Sequence, residues 1–184
     1  GLWTNASHDA KAQKFIPPGP PVLAIGPTAN WSGKIWSAQR FLETAKRITA
    51  MEDNTSDAFL PGARIAVFGA AGERGIAQPV LDAIPGERLI DLLGQIDLPT
   101  VTACMRRCAI YIGNDSFGHH VASQSMVPSF IIILDTPKAY TDYSKNQYRI
   151  LPDNIDENHI SHESNISPNE ITSDMVLNKI QKFI

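Results

Sequence analysis

The chain has 184 residues, enough for one domain with a real core, and 43% of them are apolar, as in ordinary globular proteins. A formal net charge of −3 gives no electrostatic case for a nucleic-acid partner, which would call for a basic patch. The longest apolar run, Phe130 to Leu134, is far too short to cross a bilayer.

Gly1 to Lys14 lack the basic-then-apolar layout of a secretion signal, so a cytoplasmic protein is expected. On that ground Asn-x-Ser triplets such as Asn30-Trp31-Ser32 are read as coincidence. Opening on Gly rather than Met points to a processed, tagged or truncated product. Cys104 and Cys108 lie four apart with no further cysteine, a poor zinc signature and a better fit to buried thiols.

Residues 1–20 are polar and run into Pro17-Pro18-Gly19-Pro20-Pro21, which reads as an arm or linker before a domain spanning 21–184. Val22-Leu23-Ala24-Ile25 is a first buried strand, closed by Gly26-Pro27. Trp36, Phe41, Leu42, Ala45 and Ile48 recur at helical spacing, predicting a helix from about Ser37 to Met51, with Glu52 to Pro61 as loop. Arg64 to Gly69 reads as a second strand, Ala70-Ala71-Gly72-Glu73 as a turn, and Ile76 to Ile84 as a helix. Leu89 to Leu92 is a short third strand, and Asp97 can cap a helix that carries Leu98, Val101, Met105 and Cys108.

Ile110 to Gly113 makes a fourth strand that passes through Asn114-Asp115-Ser116 into a helix ending near Ser125. Asp115 and Ser116 both suit an N-cap, and such a terminus seats phosphate well. Phe130 to Leu134 is the fifth strand, Asp135 to Asn169 shows no clear period, and a last helix spans 172–184 with Val176, Leu177, Ile180, Phe183 and Ile184 inward. Five continuous apolar runs alternating with helices imply a sheet covered on both faces: a doubly wound parallel α/β fold.

Ligands of such sheets bind at the carboxyl ends of the strands. Three loops there carry polar chemistry: Thr28 to Lys34, Gly69 to Glu73, and Asn114 to Ser116. A lysine and helix amides suit a diphosphate, and carboxylates suit sugar or ribose hydroxyls. Each residue alone has a duller explanation. Lys34 fits a solvated loop lysine, Glu73 a helix-start carboxylate, His120 a packed histidine, and Gly69 and Gly72 mere turn residues. Their shared placement after parallel strands is what points to a site.

Gly113-Asn114-Asp115-Ser116 followed by His120-Val121-Ala122 resembles the G-N-D-S-G-x-x-H-x-A motif of the heptosyltransferase-like glycosyltransferases, family 9. Asn30 to Trp36 resembles that family's loop ending in K-x-W, Ile65 to Glu73 its strand and G-x-x-x-E turn, and Leu92 to Leu98 its L-x-G-x-x-x-L element. Ile171 to Val176 resembles the start of its last helix, so the likeness runs from about Val22 to Ile184.

The resemblance implies one Rossmann-like half of the two-domain GT-B architecture, namely the C-terminal, donor-binding half of an inverting, metal-independent enzyme without cofactor. ADP-heptose is a candidate donor, and a lipid-linked or lipopolysaccharide glycan at the inner face of a bacterial inner membrane a candidate acceptor. Read across, Lys34 meets the diphosphate and stabilises the leaving group, with Asn30 beside it. Glu73 holds ribose hydroxyls, Ile96 lines the base pocket, and Asp115 holds sugar hydroxyls. Ser116 and the amides of Phe117 and Gly118 cradle phosphate, with His120 close by. The general base belongs to the missing N-terminal half, so none is assigned. Phe117 departs from the family's glycine, and Gly118, one place later, is expected to restore backbone freedom. Leu134-Asp135-Thr136-Pro137 departs likewise, standing where F-G-x-T is common. Alternative readings are a non-catalytic nucleotide-binding or interaction module, or another GT-B enzyme such as a sugar-nucleotide epimerase.

Overall fold

A computed structural model describes residues 3–51 and 58–183. Most of the loop expected at Glu52 to Pro61, and Ile184, expected inward, fall outside the described residues, and Phe183, also expected inward, is instead exposed just past the end of the last helix. Six parallel strands form one sheet: β1 (Val22–Gly26), β2 (Arg64–Val67), β3 (Leu89–Asp91), β4 (Ile110–Asn114), β5 (Ser129–Ile132) and β6 (Gln147–Ile150). Their spatial order is β3-β2-β1-β4-β5-β6. The order reverses between β1 and β4, where Gly26 lies beside Gly113 at the carboxyl end.

Alternation along the strands divides the core into two layers. Leu23, Ile25, Ile65, Val67, Ile110 and Ile112 pack with α2 (Ala38–Thr49), α3 (Arg74–Ala83) and α7 (Ser173–Gln181). Val22, Ala24, Ala66 and Tyr111 pack with α1 (Ala6–Phe15), α4 (Leu98–Met105) and α5 (Phe117–Gln124). Helices thus cover both faces, the doubly wound arrangement expected from the uninterrupted apolar runs. Asp97 caps α4 as expected, its Oδ1 accepting from the Thr100 N–H at 2.9 Å. No helix among the described residues is long and apolar enough to cross a membrane.

Two elements differ from expectation. The first is β6, which lies in the stretch without a period, preceded by the single turn α6 (Lys138–Thr141). Gln147 and Arg149 of β6 are polar yet buried, so no apolar run marks the strand. Arg149 is held by the Thr141 hydroxyl and by the Thr136 carbonyl.

The second is the stretch read as an arm, half of which is α1. The Asn5 side chain accepts from the Ser7 and His8 amides, and His8 Nδ1 accepts from the Asn5 N–H. α1 packs on α4, burying Ala12 and the following Ile16. The prolines are tied down as well: Arg64 donates to the carbonyls of Pro17 and Pro20, and Arg107 to that of Ile16. With so little apolar surface inward, α1 lacks the stripe that reveals a helix in sequence. Ile16→Ala should therefore destabilise the chain by about 2–4 kcal/mol in urea unfolding. A loose arm would leave the midpoint unchanged.

Candidate functional site

The loop after β1 is locked onto the end of β4 by Trp36. Its indole is fully buried, lies edge-on to Phe41 at 5.0 Å, and donates through Nε1 to the Ile171 carbonyl at 2.9 Å. The Trp36 N–H donates to Asn114 Oδ1, also at 2.9 Å. Between these anchors and β1 a single turn of 3-10 helix (Ser32–Lys34) places Lys34 opposite Asp115, across the point where the strand order reverses. The Lys34 ammonium donates to Asp115 Oδ2 at 2.7 Å, with only 19% and 7% of the two side chains exposed. The Thr136 hydroxyl, from the loop after β5, donates to the same oxygen. Burial pushes the Asp115 pKa up, but the bonds from Lys34 and Thr136 outweigh it and hold the carboxyl below its ordinary range.

The loop after β2 supplies Glu73 at the end of a 3-10 turn (Ala71–Glu73). Its Oε2 accepts from the Thr28 hydroxyl at 2.7 Å and from the Ala70 N–H at 2.9 Å. Gly69 keeps room for this bond, since a methyl there would stand 2.9 Å from Thr28 Oγ1. Gly94 has φ +63°, and a side chain at that position would also overlap Ala71.

Ser116, and not Asp115, is the N-cap of α5. Its N–H donates to His119 Nδ1 at 3.2 Å. His119 is fully buried, and burial together with neighbouring His120 lowers its pKa to about 3. It is therefore a neutral acceptor, with no ion pair to Asp115 Oδ1 at 3.4 Å. His120 stacks beside it and contacts the Tyr143 hydroxyl, and burial lowers its pKa too.

Gly118 departs from expectation. Its φ is not positive, so backbone freedom does not explain it. A methyl at Gly118 would instead strike the Tyr111 hydroxyl, which rises beneath the first turn of α5. Phe117 is 56% exposed and turned to the mouth of the site.

These loops surround a cavity of about 590 Å³. Asn30, Lys34 and Glu73 line it, as do Ile96, Asp115, Ser116, Phe117, Gly118 and His120, the nine residues that the family resemblance marks for the donor, whereas Gly72 and Asn114 do not. One region is apolar, made by Phe68, Leu92, Ile96, Leu98 and Val101. Thr28, Thr136, Tyr140 and His162 also line it and were not foreseen. Thr28 opens a loop already singled out, whereas the other three lie where the sequence shows no period.

Asp115, His119 and His120 offer ligand atoms within 4.8 Å of one another. Lys34 and Thr136 occupy Asp115 Oδ2 and Ser116 occupies His119 Nδ1, so an ammonium 2.7 Å from the carboxylate opposes a second cation there, while buried His119 Nε2 has no hydrogen-bond partner.

His119 sets a pH dependence. Below pH 6.5 the unfolded chain takes a proton that the folded site refuses until about pH 3, so this contribution is whole above 6.5 and lost on acidification. Between pH 7 and 5 the loss should be about 2 kcal/mol, read as a falling urea midpoint. His119→Gln should flatten that profile.

The family model for glycosyltransferase family 9 (heptosyltransferase) matches residues 2–168, α1 included. The chain resembles Escherichia coli ADP-heptose LPS heptosyltransferase II, with TM-score 0.74 and 20% identity over 98% of this chain and 52% of that one. It also resembles E. coli heptosyltransferase WaaC with ADP-2-deoxy-2-fluoro heptose, with TM-score 0.66 and 17% identity over 95% and 48%. A third likeness is to the dodecameric iron-containing heptosyltransferase TibC of enterotoxigenic E. coli, in complex with ADP-D-β-D-heptose. There the TM-score is 0.61 and the identity 15%, over 91% and 46%. At these identities the structures establish a shared fold, and the chain spans about half of their length. No curated protein sequence matches it. The family match, over most of the chain, shows that it belongs to glycosyltransferase family 9.

Proposed function

We propose that this chain is the C-terminal, donor-binding half of an inverting, metal-independent glycosyltransferase that takes a nucleotide-diphosphate sugar of the ADP-heptose type. The observation that carries the reading is the meeting of Lys34 and Asp115 across the strand-order reversal, on the wall of a cavity with an apolar region. The apolar region accepts the base, and Glu73, oriented by Thr28, accepts ribose hydroxyls. Lys34 and the first turn of α5 meet the diphosphate, with Asn30 and His120 beside it. As the glycosidic bond breaks, negative charge gathers on the departing diphosphate, and Lys34 stabilises it there. Asp115 holds sugar hydroxyls. The base that activates the acceptor lies in the other half of the enzyme, and the acceptor is a bacterial surface glycan such as lipopolysaccharide core, met in the cytoplasm.

Titrating the chain with ADP-, UDP- and GDP-sugars should reveal binding of one of them, ADP-heptose foremost. Lys34→Ala should weaken that binding about 10–100-fold and leave the matching nucleoside nearly unaffected. Absence of binding for every nucleotide sugar would sink the proposal. Phe117, an aromatic ring at the mouth where the family has glycine, favours a second reading as a non-catalytic nucleotide-binding module. Assay of a longer protein that includes the other half separates the two. Lys34→Ala stops transfer in an enzyme and leaves a scaffold's phenotype intact.

A further inference from the structure

Tyr111, the second residue of β4, is fully buried, with its ring on the α5 side of the sheet. Three glycines make its socket: a methyl group at Gly26, Gly113 or Gly118 would overlap the phenol. They stand at the carboxyl ends of β1 and β4 and in the first turn of α5. The phenol oxygen is thus directly beneath the helix terminus that lines the cavity.

A phenylalanine would fill this socket without bringing in a polar atom. The hydroxyl makes no well-aligned hydrogen bond, and a buried donor left in that state costs about 1–3 kcal/mol. Burial, and after it the carboxylates of Asp115 and Glu73, push its pKa up, so it remains a protonated donor. The Ser116 side chain, at the N-cap two residues before Gly118, is a polar neighbour of this hydroxyl. Ser116 has already given its N–H to His119 Nδ1, which leaves its hydroxyl as the group it can still offer to a ligand. The amides of Phe117 and Gly118 stand beside it without a carbonyl partner inside the helix.

We propose that Tyr111 is a positioning residue: its hydroxyl donates to Ser116 Oγ from below, so that the Ser116 proton and the Phe117 and Gly118 amides face a diphosphate oxygen above. This rests on the donor-site reading. A hydroxyl that accepts from beneath becomes a better donor upward, because chained hydrogen bonds polarise one another. Tyr111 touches no ligand atom itself and acts only through the turn above it.

The test is calorimetric titration of the whole chain with ADP and with adenosine, as wild type, Tyr111→Phe, Ser116→Ala and the double variant. Tyr111→Phe should weaken ADP about 5–10-fold and leave adenosine within about twofold. The double variant should bind ADP no worse than Ser116→Ala alone. Equal ADP affinity in Tyr111→Phe and wild type overturns the proposal while the donor site stands. A parallel loss for adenosine also overturns it, since that marks a general structural defect. Should Tyr111→Phe not fold, Ser116→Ala must by itself weaken ADP and spare adenosine, or the proposal fails. A wild-type chain that binds neither probe removes the donor-site reading and this one with it.

Discussion

The site depends on an ion pair that bridges two strands at the reversal of strand order. β1 and β4 are neighbours whose following loops diverge to opposite sides of the sheet, which opens a crevice between them. Lys34 and Asp115 pair on its wall. An exposed pair would contribute little, and a fully buried one would face a desolvation cost close to its Coulomb gain. This pair lies between those limits. Thr136 supports the carboxylate, Asn114 and Trp36 fix the loop that brings the lysine, and Trp36 is itself pinned to Ile171 ahead of α7. The position of Lys34 is therefore set by the core and not by its own flexible stem.

The same logic explains a change of motif that looks arbitrary in sequence. Glycine stands at position 118 and Phe at 117, whereas the family pattern has glycine at 117. Space decides the matter, because the Tyr111 hydroxyl occupies the volume that a side chain at 118 would need. Position 117, at the cavity mouth, is under no such constraint and carries an exposed ring. A residue near the start of a strand thereby dictates which residue can stand in the first turn of the helix above it.

Much of this was legible in the sequence because the physics was local. Val22–Ile25 and Ile110–Gly113 are continuous apolar runs since both sheet faces are covered, and the turns after them carry the polar residues that line the cavity. What escaped was non-local. β6 contains Arg149, whose burial is intelligible only once Thr141 and the Thr136 carbonyl are seen around it. α1 is polar nearly all round and is kept in place by α4 and by Arg64 and Arg107, all distant in sequence. Tyr140 and His162 reach the cavity from a stretch with no period, so only the fold brings them in.

The charge balance of the site bears on how a donor would be held. His119 and His120 both have lowered pKa values through burial and are neutral at pH 7. Lys34 is then a full positive charge on the cavity wall beside the α5 terminus, and Asp115 already opposes it. On the proposed reading a diphosphate must compete with Asp115 for that ammonium. Sugar hydroxyls donating to Asp115 would satisfy the carboxylate and release Lys34 toward phosphate, so the two ends of a nucleotide sugar would assist one another. A nucleoside diphosphate without its sugar lacks that assistance. Discrimination between donor and spent product then follows from one shared carboxylate, without any movement of the fold.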